Sequence, residues 1–419
     1  MEEKMATIKP FKAVRPFPDK AQDVAALPYD VYNRQEAAAA ARGKLDSFLR
    51  VDRPETTLDD RIKIDDPFVY ETARKNLEKL FYRKALTQDT RDCLYIYELI
   101  MNGRSQVGLV VCTAIDEYLD NTIKKHELTR ADKEEDRIKH VDACDANTGP
   151  IFLTYRSEAA INVVVDKWRN DQAPVYDFVS DDGITHRAWV IDDEAIIGGL
   201  VEQFKNVKNL YIADGHHRSA SAVKVGLMRR EAKPDYTGAE EFNYFLSVLF
   251  PDEQLYIMDY NRVVKDLNGL TADDFLKALS EKFELEDCGS EAVSPAHKGA
   301  FGLYLEDKWY RLTVKEGVYD PEDPVNSLDV AILQNNVLVP ILGIGDIRTD
   351  KRIDFVGGIR GLKELERRVH DDMKLAFSMH PTSIEELMNI ADADLLMPPK
   401  STWFEPKLRS GLFIHKLSE

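Results

Sequence analysis

Leu210-Tyr211-Ile212-Ala213-Asp214-Gly215-His216-His217-Arg218 is the stretch on which the reading of the whole chain turns. Asn209–Ala213 is a short apolar run suited to a buried strand. Asp214-Gly215 breaks it, and His217–Ala232 reads as an alanine-bearing helix. A strand that turns on glycine into a helix aims free backbone N–H groups and the positive helix end at one spot. That spot suits a phosphate or a carboxylate. Gly215 permits close backbone approach, and Arg218 is able to grip a phosphate bidentately. His216 and His217 are adjacent, so one is expected to face a ligand while the other locks the loop. Asp214 is open to three roles: helix cap, metal ligand, or partner that orients an imidazole. The plainer alternative is a capped helix start with polar surface residues.

Outward from this stretch, strands are expected at Leu94–Leu99 and Val107–Thr113, joined through Asn102-Gly103. Further strands are expected at Ile161–Val165, Ala188–Ile191 and Tyr244–Phe250. Helices are expected at Arg34–Arg42 behind Asn33, at Asp66–Leu80 and at Lys133–Val141. Beyond Tyr260 the pattern changes, with helices at Ala272–Lys282 and Leu328–Leu338 around a strand pair at Phe301–Tyr304 and Tyr310–Val314. Asn268-Gly269 punctuates the change. The expectation is therefore α+β, with a core over 1–265 and a C-terminal α+β domain over 266–419. Met397–Phe404, dense in proline and aromatics, is expected to pack.

The 419 residues suffice for two or three domains. A net charge of -18, from 56 basic and 74 acidic residues, argues against a nucleic-acid binder. No apolar run approaches membrane-span length, and Met1-Glu2-Glu3-Lys4 has no secretory h-region, so a cytoplasmic protein is expected. Cys93, Cys112, Cys144 and Cys288 form no C-x-x-C pair and read as free thiols in a reducing compartment.

Two other segments carry candidate chemistry. Lys124–Arg130, with Lys133 and Arg137, is the densest basic stretch of this acidic chain. It lacks the second histidine of H-E-x-x-H, because position 130 is Arg. His126 and Glu127 beside cations suit acid–base work or an acidic substrate; a solvated helix face laced with ion pairs explains the same residues. Asp30, in Pro28-Tyr29-Asp30-Val31, is a candidate general base or metal ligand, or simply a turn residue.

Together these segments carry a resemblance. Ile8–Pro16 (IKPFKAVRP), Leu27–Val31 (LPYDV), Phe48–Pro54 (FLRVDRP), Lys125–Thr129 (KHELT), Tyr211–Arg218 (YIADGHHR), Asn261–Val264 and Met397–Pro406 (MPPKSTWFEP) resemble, in order, the family called domain of unknown function 1015. Leu27 departs from it, standing where a second proline is expected. The D-G-H-H-R stretch is also similar to the phosphate-binding motif of ParB-like, sulfiredoxin-like and free-serine-kinase proteins. That resemblance implies a ParB/sulfiredoxin-like mixed core. It implies a phosphate site at Asp214, Gly215, His216, His217 and Arg218, with Asp30 or Glu127 as the acid that activates a hydroxyl or water. Lys125, His126 and Arg130 would bind a substrate carboxylate or a second phosphate. The implied activity is phosphate-group handling on a small acidic metabolite, phosphoserine or serine, by transfer or hydrolysis. Mg²⁺ and ADP or ATP are the implied cofactors. The rival expectation is a nucleotide-binding sensor without turnover.

Overall fold

The computed structural model describes residues 4–418. It is an α+β protein whose chain divides into two units. The first takes the chain up to Lys125, Thr129–Leu255, and everything described from Pro406 onward. The second takes His126–Leu128 and Tyr256–Glu405. The division thus falls ahead of the expected 265/266 boundary, and the last residues return to the first unit. Strand pairing explains both features, as follows.

The first unit is built on an eight-stranded sheet. Its strands are β1 (Leu94–Met101), β2 (Arg104–Ala114), β3 (Ile123–Lys124), β4 (Ile151–Tyr155), β5 (Tyr176–Val179), β6 (Thr185–Ile191), β7 (Leu210–Asp214) and β8 (Tyr244–Pro251). Their order in space is β3-β7-β4-β8-β2-β1-β6-β5. The pairs β3/β7 and β4/β8 are parallel, while β7/β4 and β8/β2 are antiparallel, so the sheet is mixed. β1 and β2 close a tight hairpin, with positive φ at both Asn102 (52°) and Gly103 (79°). Consecutive positive φ values match the right-handed twist of a hairpin and favour Asn-Gly. Leu94, Ile96, Leu109, Val111, Leu153, Leu210, Ile212, Phe245 and Leu249 belong to the main core of this unit.

Five helices matter for the site. These are α1 (Arg34–Ala41), α2 (Pro67–Tyr82), α3 (Ala131–Cys144), α4 (Ala159–Asp171) and α5 (His216–Ala232). α4 corrects a sequence expectation, since Ile161–Val165 was read as a strand. Ile161 and Val165 are buried four residues apart, while Val163 is 65% exposed. Helical spacing of the buried positions overrides the strand preference of β-branched side chains. α3 and α5 are tied together by Arg229, which pairs with Asp142 at 2.8 Å and Asp145 at 3.0 Å.

The last residues thread the first unit. Val14 and Ile414 exchange backbone hydrogen bonds at 2.9 Å, and His415–Lys416 pairs with Asn147 and Ala146.

The second unit holds a six-stranded sheet. Its strands are β9 (Tyr260–Val264), β10 (Phe283–Gly289), β11 (Ala300–Leu305), β12 (Lys308–Val314), β13 (Ile353–Gly357) and β14 (Leu375–Met379), in the order β10-β12-β11-β14-β9-β13. Neighbours run antiparallel throughout. β9 sits between β13 and β14, which places Tyr260–Val264 in this unit. Met397 and Phe404 are buried, so the proline-rich stretch packs.

Candidate functional site

β7 brings Leu210, Tyr211, Ile212 and Ala213 into the sheet, all buried. Its register with β4 shifts between Ile212 and Asp214. Such an irregularity re-aims the end of a strand. Gly215 follows with φ 99° and ψ 32° and caps α5. An L side chain is strained in that conformation. Space imposes a second demand, because a Cβ at Gly215 would stand 3.2 Å from both Nε and Nη2 of Arg218. The glycine therefore lets the guanidinium lie back over the loop. Nη1 of Arg218 donates to the carbonyl of Pro150. Among the described residues, no carboxylate forms an ion pair with this half-buried arginine.

Asp214 accepts a hydrogen bond from Nζ of Lys407 at 3.0 Å. Burial alone would raise its pKa. Lys407 first, then Arg218, reverse this and hold the carboxylate well below its usual range. Burial pushes the His216 imidazole down to about 4, Asp214 opposing and His217 assisting, so the ring is neutral at pH 7. His217 Nε2 accepts the backbone N–H of Arg130 at 3.0 Å. A neutral His217 ring then carries its proton on Nδ1. His217 thus ties its loop to the segment at Arg130.

Asp30 lies exposed in the turn after Tyr29. Burial raises the Tyr29 phenol pKa, Asp30 adds to this, and Arg137 and Arg218 oppose it. Asp30, Arg137 and Arg218 thus lie within electrostatic reach of one phenol. The Arg137 guanidinium sits 4.1 Å from the Tyr29 ring centroid and pairs with Asp136 at 2.7 Å. Tyr29, Asp52, Arg137, Thr148, Gly149 and Arg218 line a small cavity of about 30 Å³. Thr148 Oγ1 donates to Asp52 Oδ1 at 2.9 Å across it. The volume suits a water or two, so a phosphate enters only as the walls part.

The basic segment is divided between the units. Lys125, Thr129 and Arg130 belong to the first, and His126, Glu127 and Leu128 to the second. β3, ending at Lys124, runs beside β7, with Lys124 opposite Tyr211. Lys125 Nζ donates to the Tyr118 carbonyl at 2.8 Å. Arg130 is held by Asp132 through two bonds, at 3.1 and 2.9 Å. In the second unit the His126 carbonyl accepts the Met397 N–H at 2.8 Å.

Sequence reasoning did not single out Tyr29, Asp52, Thr148 or Lys407 for this site, and it read Arg137 as part of a charged patch. Arg137 looks like one more charge on an exposed helix, yet it is 7% exposed. The segments it meets in the fold, Leu27–Val31 and Phe48–Pro54, lie far from it in sequence, so no local pattern marked it.

The carboxylates around the Asp214–Arg218 loop and the small cavity fit a resident Mg²⁺ poorly. Asp214 is already neutralised by Lys407, and Asp52 faces Arg137 and accepts from Thr148. Asp30 is the carboxylate left over. Mg²⁺ bound with substrate phosphates uses one or two carboxylates, so any ion would depend on the ligand for most of its anionic oxygens.

Comparison with known proteins bears on this geometry. The family described as "Protein of unknown function (DUF1015)" matches residues 8–331. The chain belongs to that family. The match takes in the Leu27–Val31 turn, Arg137 and the Asp214–Arg218 loop. No curated protein is found similar in sequence. Among solved structures, a free serine kinase variant in complex with ADP is 14% identical, covering 73% of this chain and 92% of its own, with a TM-score of 0.36. A conserved hypothetical protein from Pyrococcus furiosus is 16% identical over 73% and 94%, at 0.35. SbnI from Staphylococcus aureus is 11% identical over 71% and 82%, at 0.37. Likeness at this level settles neither fold nor activity. Among the described residues, no helix is long and apolar enough to cross a membrane.

Proposed function

We propose that the first unit binds the phosphate group of a small acidic metabolite at Arg218 and acts on phosphoserine or serine, by transfer between serine and a nucleotide, in which the serine hydroxyl attacks when serine is the acceptor, or by hydrolysis. One observation carries this reading: Arg218, half-buried, without an ion pair among the described residues and folded over Gly215 at the start of α5, shares a cavity with the buried Arg137. Two guanidinium groups converging beside a helix N-terminus suit an anion with several oxygens.

Phosphoryl transfer asks a protein mainly to position groups and neutralise charge. Arg218 supplies the charge, and Arg137, paired with Asp136, lines the cavity beside it. Asp30, exposed on the turn that Tyr29 anchors, is the base that takes the proton of the attacking hydroxyl or water. His216, neutral and buried, supports the loop rather than adding a cation. Lys125 and Arg130 are engaged with Tyr118 and Asp132, so neither is assigned to substrate.

The test is to incubate the protein with phosphoserine and Mg²⁺, with and without ADP, and follow phosphorus species by NMR. ATP formed only with ADP marks a phosphotransferase, and free phosphate without nucleotide marks a phosphatase. Arg218→Ala should abolish either. Intact phosphoserine in both samples overturns the substrate assignment. Saturable nucleotide binding without turnover then favours a sensor.

A further inference from the structure

Asp30 sits on a turn that its own side chain does nothing to secure. Among the described residues, no hydrogen bond or ion pair holds its carboxylate. Its place is set by the backbone, and that backbone is held from outside. The Val31 N–H donates to the Pro28 carbonyl at 3.1 Å and closes the turn. Nη1 of Arg53 donates to the Tyr29 carbonyl at 2.7 Å and to the Tyr32 carbonyl at 2.6 Å. This nitrogen carries two hydrogens, so it serves both carbonyls at once. The carbonyls belong to the residue before Asp30 and to the residue after Val31. A single guanidinium thus clamps the chain on both sides of the proposed base.

Arg53 is itself immobilised. Its Nε pairs with Glu55 at 2.5 Å, and Glu55 is 5% exposed. Its backbone N–H donates to the Leu49 carbonyl at 2.8 Å, at the end of the helical turn Leu49–Asp52. Its carbonyl accepts from the Thr56 N–H at 3.0 Å and from Thr56 Oγ1 at 2.7 Å. Pro54 follows directly and restricts the Arg53 backbone further. A planar fork held at Nε and at its backbone is pre-organised to grip at Nη1.

We propose that Arg53 is the positioning residue of the site: its fork sets where the Asp30 carboxylate stands, while Arg53 itself touches neither substrate nor reacting atoms. The proposal rests on Asp30 being the base, the role given it above. Arg53 belongs to the stretch Phe48–Pro54 and Asp30 to Leu27–Val31, so one motif holds the other in place. Asp52, the neighbour of Arg53, lines the small cavity with Tyr29 and Arg218. The same short segment therefore carries a wall of the anion cavity and the clamp on the base. A base displaced by an ångström loses much of its effect, because reaction demands near-contact geometry.

Two measurements on the full chain test it. The first is turnover of phosphoserine with Mg²⁺, with and without ADP, beside calorimetric titration of inorganic phosphate. Arg53→Lys keeps a charge for Glu55 but loses the planar fork. It should lower kcat about tenfold or more, with KM for phosphoserine and phosphate affinity nearly unchanged. In an Asp30→Asn background the same change should lower kcat no further, since the arginine acts through the aspartate. The paired replacement Arg53→Met with Glu55→Met leaves neither charge buried alone, and should repeat the loss in a chain folded by circular dichroism. The second measurement needs no substrate. Hydrogen exchange at Val31, read by mass spectrometry of fragments spanning 28–32, should quicken in Arg53→Lys and stay as in wild type in Asp30→Asn. If wild type leaves phosphoserine intact while Val31 exchange quickens in Arg53→Lys, the phosphoserine reading fails and the clamp stands. The proposal is overturned if Val31 exchange is unchanged in both Arg53 variants. It is equally overturned if a wild type that turns over phosphoserine keeps its kcat in both, or if Arg53→Lys costs as much in the Asp30→Asn background.

Discussion

Asp214 and His216 stand two residues apart, and burial acts on them in opposite senses. Lys407 keeps the aspartate ionised although it is half-buried, whereas at the imidazole burial outweighs the opposing pull of Asp214. The sign of the resulting pH dependence follows. The folded pKa of His216, about 4, lies below its ordinary value of 6.5. Between those values the unfolded chain binds a proton that the folded chain refuses. Stability from this group is complete above pH 6.5 and is lost as pH falls through about 4. Urea midpoints from pH 8 to 4 should show that loss, and His216→Asn should flatten it. An unchanged slope in the variant refutes the assignment. At Arg218 the expected loss is in binding rather than folding. Replacing it by Ala removes a charged group that forms no direct ion pair among the described residues, so the thermal midpoint should move little while phosphate affinity falls about tenfold or more. Asp30→Asn should lower turnover yet leave phosphate binding nearly intact, because Asp30 sits exposed on a turn.

At the scale of elements, α1 is secured by a reciprocal cap. Asn33 accepts from the Glu36 N–H, and Glu36 accepts from the Asn33 N–H, both at 2.9 Å. Asn33→Ala should cost about 0.5–2 kcal/mol by urea denaturation. The capping residue was legible beforehand, since Asn followed by an alanine run is a start signal in any context. α5 makes a stricter demand at Gly226. A Cβ there would lie 2.5 Å from the Phe242 carbonyl oxygen and 2.7 Å from Ile115 Cδ1. Backbone cannot retreat as a flexible side chain can, so Gly226→Ala should cost roughly 1–3 kcal/mol although alanine favours helix. A stabilised variant would contradict the packing described. α4 was misread because a five-residue run rich in Ile and Val carries no length signal, and only the neighbours show which face is covered.

Across the molecule, the first unit depends on chain ends far apart in sequence. Lys407 reaches Asp214, Arg409 reaches His186 and Asp182, and His415 reaches Glu241 at 2.8 Å. Truncation after Glu405 should therefore destabilise the first unit and abolish phosphate binding, although it leaves α5 and the D-G-H-H-R loop whole. Limited proteolysis of the truncated chain, read by mass spectrometry, should show cuts within 1–255 that the intact protein resists. Equal resistance would mean that the tail is dispensable.

The sequence by itself determined what depends on near neighbours. Hairpin and helix starts at Asn102-Gly103, Asn33 and Gly215 follow from local backbone preference, and the strand–loop–helix at Tyr211–Arg218 follows from apolar spacing broken by Asp-Gly. The family followed from short motifs kept in order. What required the tertiary structure were the groups that complete the site. Arg137 turns from a surface charge into a buried wall because α3 packs beside Tyr29, and Lys407 enters because the tail returns to the first unit. Burial and charge pairing at those positions are set by residues hundreds of places distant, and no local pattern in a single chain encodes which of its many charges will lose access to water.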